Sequence, residues 1–271
     1  MNTDTSPARL VRFAQMSRIS LLVTVKAYPA LSSTYGETVC VAGVRTDAER
    51  PEWVRLFPVQ FRDIPFDQRF KKYQLISVET IKHNDPRPET MRPNVDSLIL
   101  GDVLDTSGGW AKRRPFVEPL LVESMCEVIA RQKTSQMSLA AFRPAEVLDL
   151  VVDDDEESWT SRQANVAAQP SLFFPRKGTL EKIPHRFRYH YRCGPSCKGH
   201  KQSIIDWELA QAYREWRQRY NDDATTLQMI RQKFLNEMCD ERKDTIFFVG
   251  NHHQYPESFM VLGVFWPPKR G

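Results

Sequence analysis

The stretch HRFRYHYRCGPSCKGHKQSIIDWE, residues 185–208, carries three patterns in one run. Its first part alternates: Phe187, Tyr189 and Tyr191 fall on one side, and Arg186, Arg188, His190 and Arg192 on the other. A period of two describes a strand with one buried face, and here the outer face is cationic. Gly194, Pro195 and Gly199 then mark a tight turn. The run continues into SIIDWELAQAYREWRQRY, where Ile205, Leu209, Ala212, Tyr213 and Trp216 form an apolar stripe at helical spacing. A half-buried strand feeding an amphipathic helix predicts an α+β fold.

Working outward toward the N-terminus, RISLLVTVKAY, ETVCVAGVRT, EWVRLFPVQF, KKYQLISVETIKH and DSLILGDVLDT read as five strands. Together they predict a mostly antiparallel β unit, which a small barrel would close. NDPRPETMRPN, with three prolines, reads as an extended loop. SGGWAKRRPF and EPLLVESMCEVIARQK read as helical, the second starting near Pro119. AAFRPAEVLDLVV is a further strand running into the acidic knot DDDEE at 153–157. EESWTSRQANVAAQ reads as a short helix and PSLFFPRKGTLEKIP as a loop. Toward the C-terminus come the helix DATTLQMIRQKFLNEMCDERK and a closing hairpin, TIFFVGN and SFMVLGVFW. The expected organisation is a flexible lead-in at 1–17, a β-rich lobe at 18–152 and a strand–helix–helix–hairpin lobe at 158–271. A return of the closing strands to the first sheet would make these one continuous domain.

Composition excludes several classes. The 271 residues are 41% hydrophobic and 27% charged, which suits a globular chain with a core. No apolar run is long enough for a membrane-spanning helix, and the polar start lacks a secretory h-region. Five scattered cysteines, Cys40, Cys126, Cys193, Cys197 and Cys239, argue against a disulfide framework and for a reduced, cytoplasmic setting. The sequence contains no Walker loop, no G-x-G-x-x-G, no nucleophile elbow and no H-E-x-x-H. Net charge is only +4, but between Arg176 and Lys201 eight Lys or Arg face one acidic residue, Glu181. Such a local field suits a polyanion.

The residues that carry chemistry lie in four groups. Cys193, Cys197 and His200 have C-x3-C-x2-H spacing, which allows a structural zinc. Its fourth ligand is then sought at His190, Cys239, His252 or His253. Asp206 is either a capping-box partner of Ser203 or a general base or nucleophile, with His200 assisting. Asp85 and Glu89, near Arg87 in the proline-rich loop, are second candidates for acid/base work. Arg55, flanked by Trp53 and Phe57, needs a partner such as Glu37 or Glu79. Otherwise it joins Arg62 and Arg87 in an anion pocket.

VKAYPALSSTYGETVCVAGVRTD, WVRLFPVQFR and FKKYQLISVE, with CKGHKQSIIDWE, make the chain resemble a group of uncharacterised bacterial cytoplasmic proteins. That resemblance implies no activity and no site residues.

The residues themselves point to DNA or another nucleic acid as partner. Arg186, Arg188, Arg192, Lys198 and Lys201 would grip phosphates, with Lys112, Arg113 and Arg114 as a second strip and aromatics stacking on bases. The enzyme reading is a hydrolase cutting a glycosidic or phosphodiester bond in DNA, plain or modified, in antiviral defence or genome maintenance. A non-catalytic reader of modified nucleic acid and a small-molecule enzyme for an anionic metabolite are the alternatives. Oligomeric state is not written in the sequence.

Overall fold

The computed structural model describes residues 16–32, 36–156, 158–168 and 180–270. Most of the expected lead-in, and the loop at 169–179, lie outside the described residues. The first lobe contains β1 (Ser17–Lys26), β2 (Ala30–Ser32), β3 (Gly36–Arg45), β4 (Trp53–Val59), β5 (Gln74–Lys82) and β6 (Thr90–Val103). The order is β1-β5-β6-β4-β3-β2, and β1 also pairs with β3, so five strands close on themselves. β4 and β6 run parallel and the other pairs antiparallel. The expected barrel is therefore present. In chain order its first strand lies between the second and fourth, and its third pairs in parallel with the fifth. This is the Greek-key arrangement of the oligonucleotide/oligosaccharide-binding (OB) barrel. Ile19, Leu21, Val23, Val39, Val41, Leu56, Ile76 and Val78 fill its interior.

The proline-rich segment departs from the expected loop: β6 begins at Thr90 and runs through Pro93. β4 pairs with β6 only at Thr90 and Met91. At Pro93 one side of the strand is therefore unpaired, and a residue without an N–H is tolerated there.

Two single-turn helices, α1 (Ser107–Trp110) and α2 (Arg114–Val117), lead to the second lobe. It comprises β7 (Leu121–Val122), α3 (Met125–Ser135), β8 (Leu139–Phe142), β9 (Glu146–Asp154), α4 (Ser161–Ala168), β10 (His185–Arg192) and β11 (His200–Ser203). It continues with α5 (Trp207–Tyr220), α6 (Asp223–Arg231), β12 (Ile246–Asn251) and β13 (Phe259–Phe265). The helix expected from Pro119 starts at α3 instead, because Ser124 caps it by accepting from the Glu127 N–H.

The closing hairpin does not return to the first sheet. β13-β12-β8-β7 form one sheet and β11-β10-β9 another. A parallel bridge between Ile204 and Val261 joins β11 to β13, and the chain itself turns the corner from β8 into β9. Taking β8 and β9 as one bent strand, the strand order repeats that of the first barrel, with α5 and α6 inserted between the third and fourth strands. The second lobe is thus a second OB-type barrel. Phe187, Tyr189, Tyr191, Leu150, Phe247, Val249 and Val261 fill it. Tyr213 of α5 closes the end near Phe187, with ring centroids 6.1 Å apart, and Met125 of α3 meets Gln202 nearer the other end. The acidic knot begins on β9, where His185 pairs with Asp154, so it lies inside this lobe and not at a boundary.

The two barrels share an apolar interface. Leu22, Val25 and Ala42 of the first pack with Leu139, Ala141, Ile246, Phe248 and Leu262 of the second. The outer side of β4 is part of it: Trp53 meets Phe248 edge-on at 5.7 Å. In an OB barrel the face over the second and third strands receives the ligand. In the first barrel that face, over β3 and β4, is covered by its neighbour. In the second barrel the corresponding face, over β10 and β11, is open.

Candidate metal centre and basic face

On β10 the alternation holds: Phe187, Tyr189 and Tyr191 are 4% exposed or less and point inward. They are core residues, as the alternation predicts, so these three aromatics of the stretch are turned away from the basic face. Tyr189 donates to the Phe234 carbonyl and Tyr191 to Gln202 Oε1, which satisfies the hydroxyls that burial would otherwise strand.

The arginines and lysines face out. Arg188 lies opposite Ser203, and His190 opposite Lys201. β9, on the other side, supplies acids. Arg188 pairs with Asp153 at 2.5 Å, Arg192 with Glu146 at 3.9 Å, and Arg186 with Asp155, just past the strand, at 3.8 Å. Pairs at 3.8–3.9 Å on exposed side chains are worth little in water, so Arg186 and Arg192 stay available to a stronger anion. Lys198 and Lys201 have no ion-pair partner among the described residues. The result is a basic row edged by an acidic one.

The second strip is not a strip. Lys112 is exposed and pairs with Asp105 at 2.6 Å. Arg113 is buried over the rings of Tyr73 and Trp110, 4.0 and 4.7 Å from their centroids. Arg114 is 3% exposed and clamps Glu118, Asp244 and the carbonyls of Gly109 and Pro268. Arg113 and Arg114, in the turns between the two lobes, are folded inward as ties, because each finds carbonyls, carboxylates or rings that replace water.

The candidate catalytic carboxylates are also engaged. Asp206 is 4% exposed and is itself the N-cap of α5, accepting from the Glu208 N–H at 3.1 Å; Ser203 is not the cap. Lys72 Nζ donates to Asp206 Oδ2 at 3.2 Å and to Glu208 Oε2 at 2.9 Å. Burial raises the pKa of Asp206 while Lys72 opposes it. Burial alone would lower that of Lys72, but the two carboxylates outweigh it and hold the ammonium charged. This triad, in which Lys72 and Asp206 are buried and Glu208 is exposed, ties the first barrel to the start of α5. Glu89 accepts from the Ser138 N–H at 3.0 Å and from Ser138 Oγ at 2.7 Å. Asp85 chelates Arg87 through both oxygens, at 2.9 and 2.6 Å. The cleft that Glu89 lines does not include Asp85 or Asp206.

Among the described residues the three arginines are engaged with separate partners. Arg55 is 2% exposed and donates to the Ser138 carbonyl and Oγ and to Cys40 Sγ; neither Glu37 nor Glu79 is its partner. Glu37 pairs instead with Arg62 at 2.9 Å. A cleft of about 530 Å³ is lined by Arg45, Trp53, Glu89, Met91 and Met137 among others, and Arg55, Arg62 and Arg87 are not in its lining.

The metal-ligand expectation is met by a different fourth residue. Cys126, Cys193, Cys197 and His200 place one ligand atom each within 4.8 Å of all the others. Cys126 Sγ lies 3.9 Å from Cys197 Sγ and 3.4 Å from His200 Nε2. His190, Cys239, His252 and His253 are not members. Cys126 stands 71 residues from Cys197 in the chain, on the first turn of α3, so no local spacing announced it. Gly199, at φ +98°, bends the hairpin and donates its N–H to Cys197 Sγ at 3.4 Å. Backbone N–H groups of Cys193 and Gly199 lower the Cys197 thiol. Burial raises that of Cys193 to about 12, against N–H groups of Cys126 and Met125. Burial also lowers His200 and so favours neutral imidazole, the form that ligates metals. This cluster can hold a metal ion. His200 is thereby placed among ligands, not beside Asp206 as a catalytic assistant.

Residues 122–271 match the family described as Domain of unknown function (DUF8757). The chain belongs to that family. Residues 17–119 match a second, Domain of unknown function (DUF8758), so the two matched spans meet between the barrels. No curated protein matches the chain. Among solved structures, it is similar to a murine DNA binding protein bound with double-stranded DNA, with 10% identity, 94% of this chain and 96% of that one covered, and a TM-score of 0.30. It is also similar to the p204 HINb domain, with 8% identity, 92% and 95% covered, and a TM-score of 0.33. A replication protein A heterotrimer bound to ssDNA matches at 10% identity, over 98% of this chain and 52% of that one, with a TM-score of 0.38. No described helix is long and apolar enough to cross a membrane.

Proposed function

We propose that this protein binds nucleic acid, holding the phosphate backbone on the outer face of β10 and β11. The observation that carries the reading is the open second-barrel face. It presents Arg186, Arg188, Arg192, Lys198 and Lys201, while the same face of the first barrel is covered. With Phe187, Tyr189 and Tyr191 turned inward, the strand row offers charge and not stacking, so affinity rests on phosphates and depends steeply on salt. The reading is of a binding protein, since Asp206, Asp85 and Glu89 are held by Lys72, Arg87 and Ser138. Within it, the Cys126–Cys193–Cys197–His200 cluster is a structural zinc site. Fluorescence anisotropy with labelled single- and double-stranded DNA over a salt series tests it. Binding that weakens with salt is expected, and no binding to either at low salt overturns it.

A further inference from the structure

We propose that one zinc ion, held by Cys126, Cys193, Cys197 and His200, staples the β10–β11 hairpin to the start of α3 and thereby makes nucleic-acid binding zinc-dependent. The dependence on zinc rests on the binding function proposed above; the coordination does not. Tetrahedral zinc with Zn–S near ~2.3 Å and Zn–N near ~2.05 Å requires sulfur–sulfur edges of about 3.8 Å and sulfur–nitrogen edges of about 3.6 Å. The observed 3.9 Å between Cys126 and Cys197, and 3.4 Å from Cys126 to His200, are those edges. Three thiolates and an imidazole at this size suit zinc, and carboxylate-seeking calcium or magnesium poorly.

The coupling follows from where the ligands sit. Cys193 directly follows β10, Cys197 lies in the turn, His200 starts β11 and Cys126 belongs to another element. Between β10 and β11 the Cys197 N–H bonds the Gly194 carbonyl at 3.1 Å and the Gly199 N–H bonds Cys197 Sγ at 3.4 Å, so the turn's own bonds already centre on a ligand. Lys198 lies between two ligands, and Lys201 follows the third directly. Fixing the ligands therefore fixes Lys198 and Lys201, the two cations of the basic face without an ion-pair partner among the described residues. A bond across 71 residues also restricts the unfolded chain, so metal binding and folding are linked.

The test is metal content of the purified protein and of Cys126→Ser and Cys239→Ser, followed by cobalt substitution of the wild type. DNA-binding salt series with and without chelation complete it, with circular dichroism to check the fold. One zinc per chain, a tetrahedral thiolate cobalt spectrum, and loss of metal in Cys126→Ser but not in Cys239→Ser are expected. Chelation should flatten the salt slope by about 0.7 for each lost phosphate contact on single strands. Full zinc in Cys126→Ser, or a wild type that takes up neither zinc nor cobalt, overturns the site. The cobalt titration needs no variant, so a Cys126→Ser that fails to fold leaves the site testable. A chelated, folded protein with an unchanged slope overturns the coupling. A zinc-loaded wild type that binds no DNA overturns the binding function while leaving the coordination standing, so the two failures read differently.

Discussion

Replacing Lys198 and Lys201 together by alanine removes the two cations of the β10–β11 face that have no ion-pair partner among the described residues. Each phosphate contact on a single strand contributes about 0.7 to the slope of log affinity against log salt. Five contacts, from Arg186, Arg188, Arg192, Lys198 and Lys201, give at most about 3.5, and the double variant about 2.1. A threefold rise in salt then weakens the wild type by about 50-fold and the variant by about 10-fold. If Arg188 stays with Asp153 instead of a phosphate, both slopes fall by the same ~0.7 and their difference persists. The assay is anisotropy of a labelled oligonucleotide across salt. The informative control is Arg113→Lys: buried over Tyr73 and Trp110, Arg113 should affect thermal stability and leave the slope alone. A double variant whose slope equals the wild type's refutes the assignment of this face. A slope change in the Arg113 variant of comparable size refutes the claim that the interior ties stay out of binding.

Lys72→Met leaves Asp206 buried and unpaired, so it should cost about 3–5 kcal/mol in urea unfolding, and adding Asp206→Leu should recover much of it. An additive double variant would contradict the triad. Asp85 gives a pH signature. Burial would raise its carboxyl, but hydrogen bonds and charge from Arg87 hold it at about 2. The folded state thus binds its proton less readily than the unfolded state. The stabilisation is complete above the ordinary carboxylate value and is lost as pH falls toward 2. Asp85→Asn should be less stable at neutral pH and converge with wild type in acid; parallel curves would exclude this. Arg114→Ala leaves Asp244 to Arg143 alone, removes the donor to the Gly109 and Pro268 carbonyls and should lower the melting temperature by several degrees, whereas Lys112→Ala, at an exposed pair, should not. Gly43→Ala should destabilise as well, because its Cβ would lie 2.4 Å from the Leu22 carbonyl oxygen.

Much of the local structure was readable. The alternation of 185–192 gave a strand with Phe187, Tyr189 and Tyr191 inside and the arginines outside, and both follow from the period of the backbone. The strands of the first barrel, the helix after Asp206, and the pairing of Cys193 and Cys197 with His200 were equally near at hand in the chain. What sequence could not supply was convergence. Cys126 becomes a ligand because α3 closes one end of the second barrel. Arg55 finds Ser138 because the barrels dock on that face, and Arg113 and Arg114 turn inward because they lie in the joint. The sequence by itself determined which residues share a side of an element, since that is a matter of a few covalent bonds and a fixed period. Only the tertiary structure decided that two barrels close, which of their two faces is left open, and which charges remain unpaired, because those depend on contacts between segments that no local pattern relates.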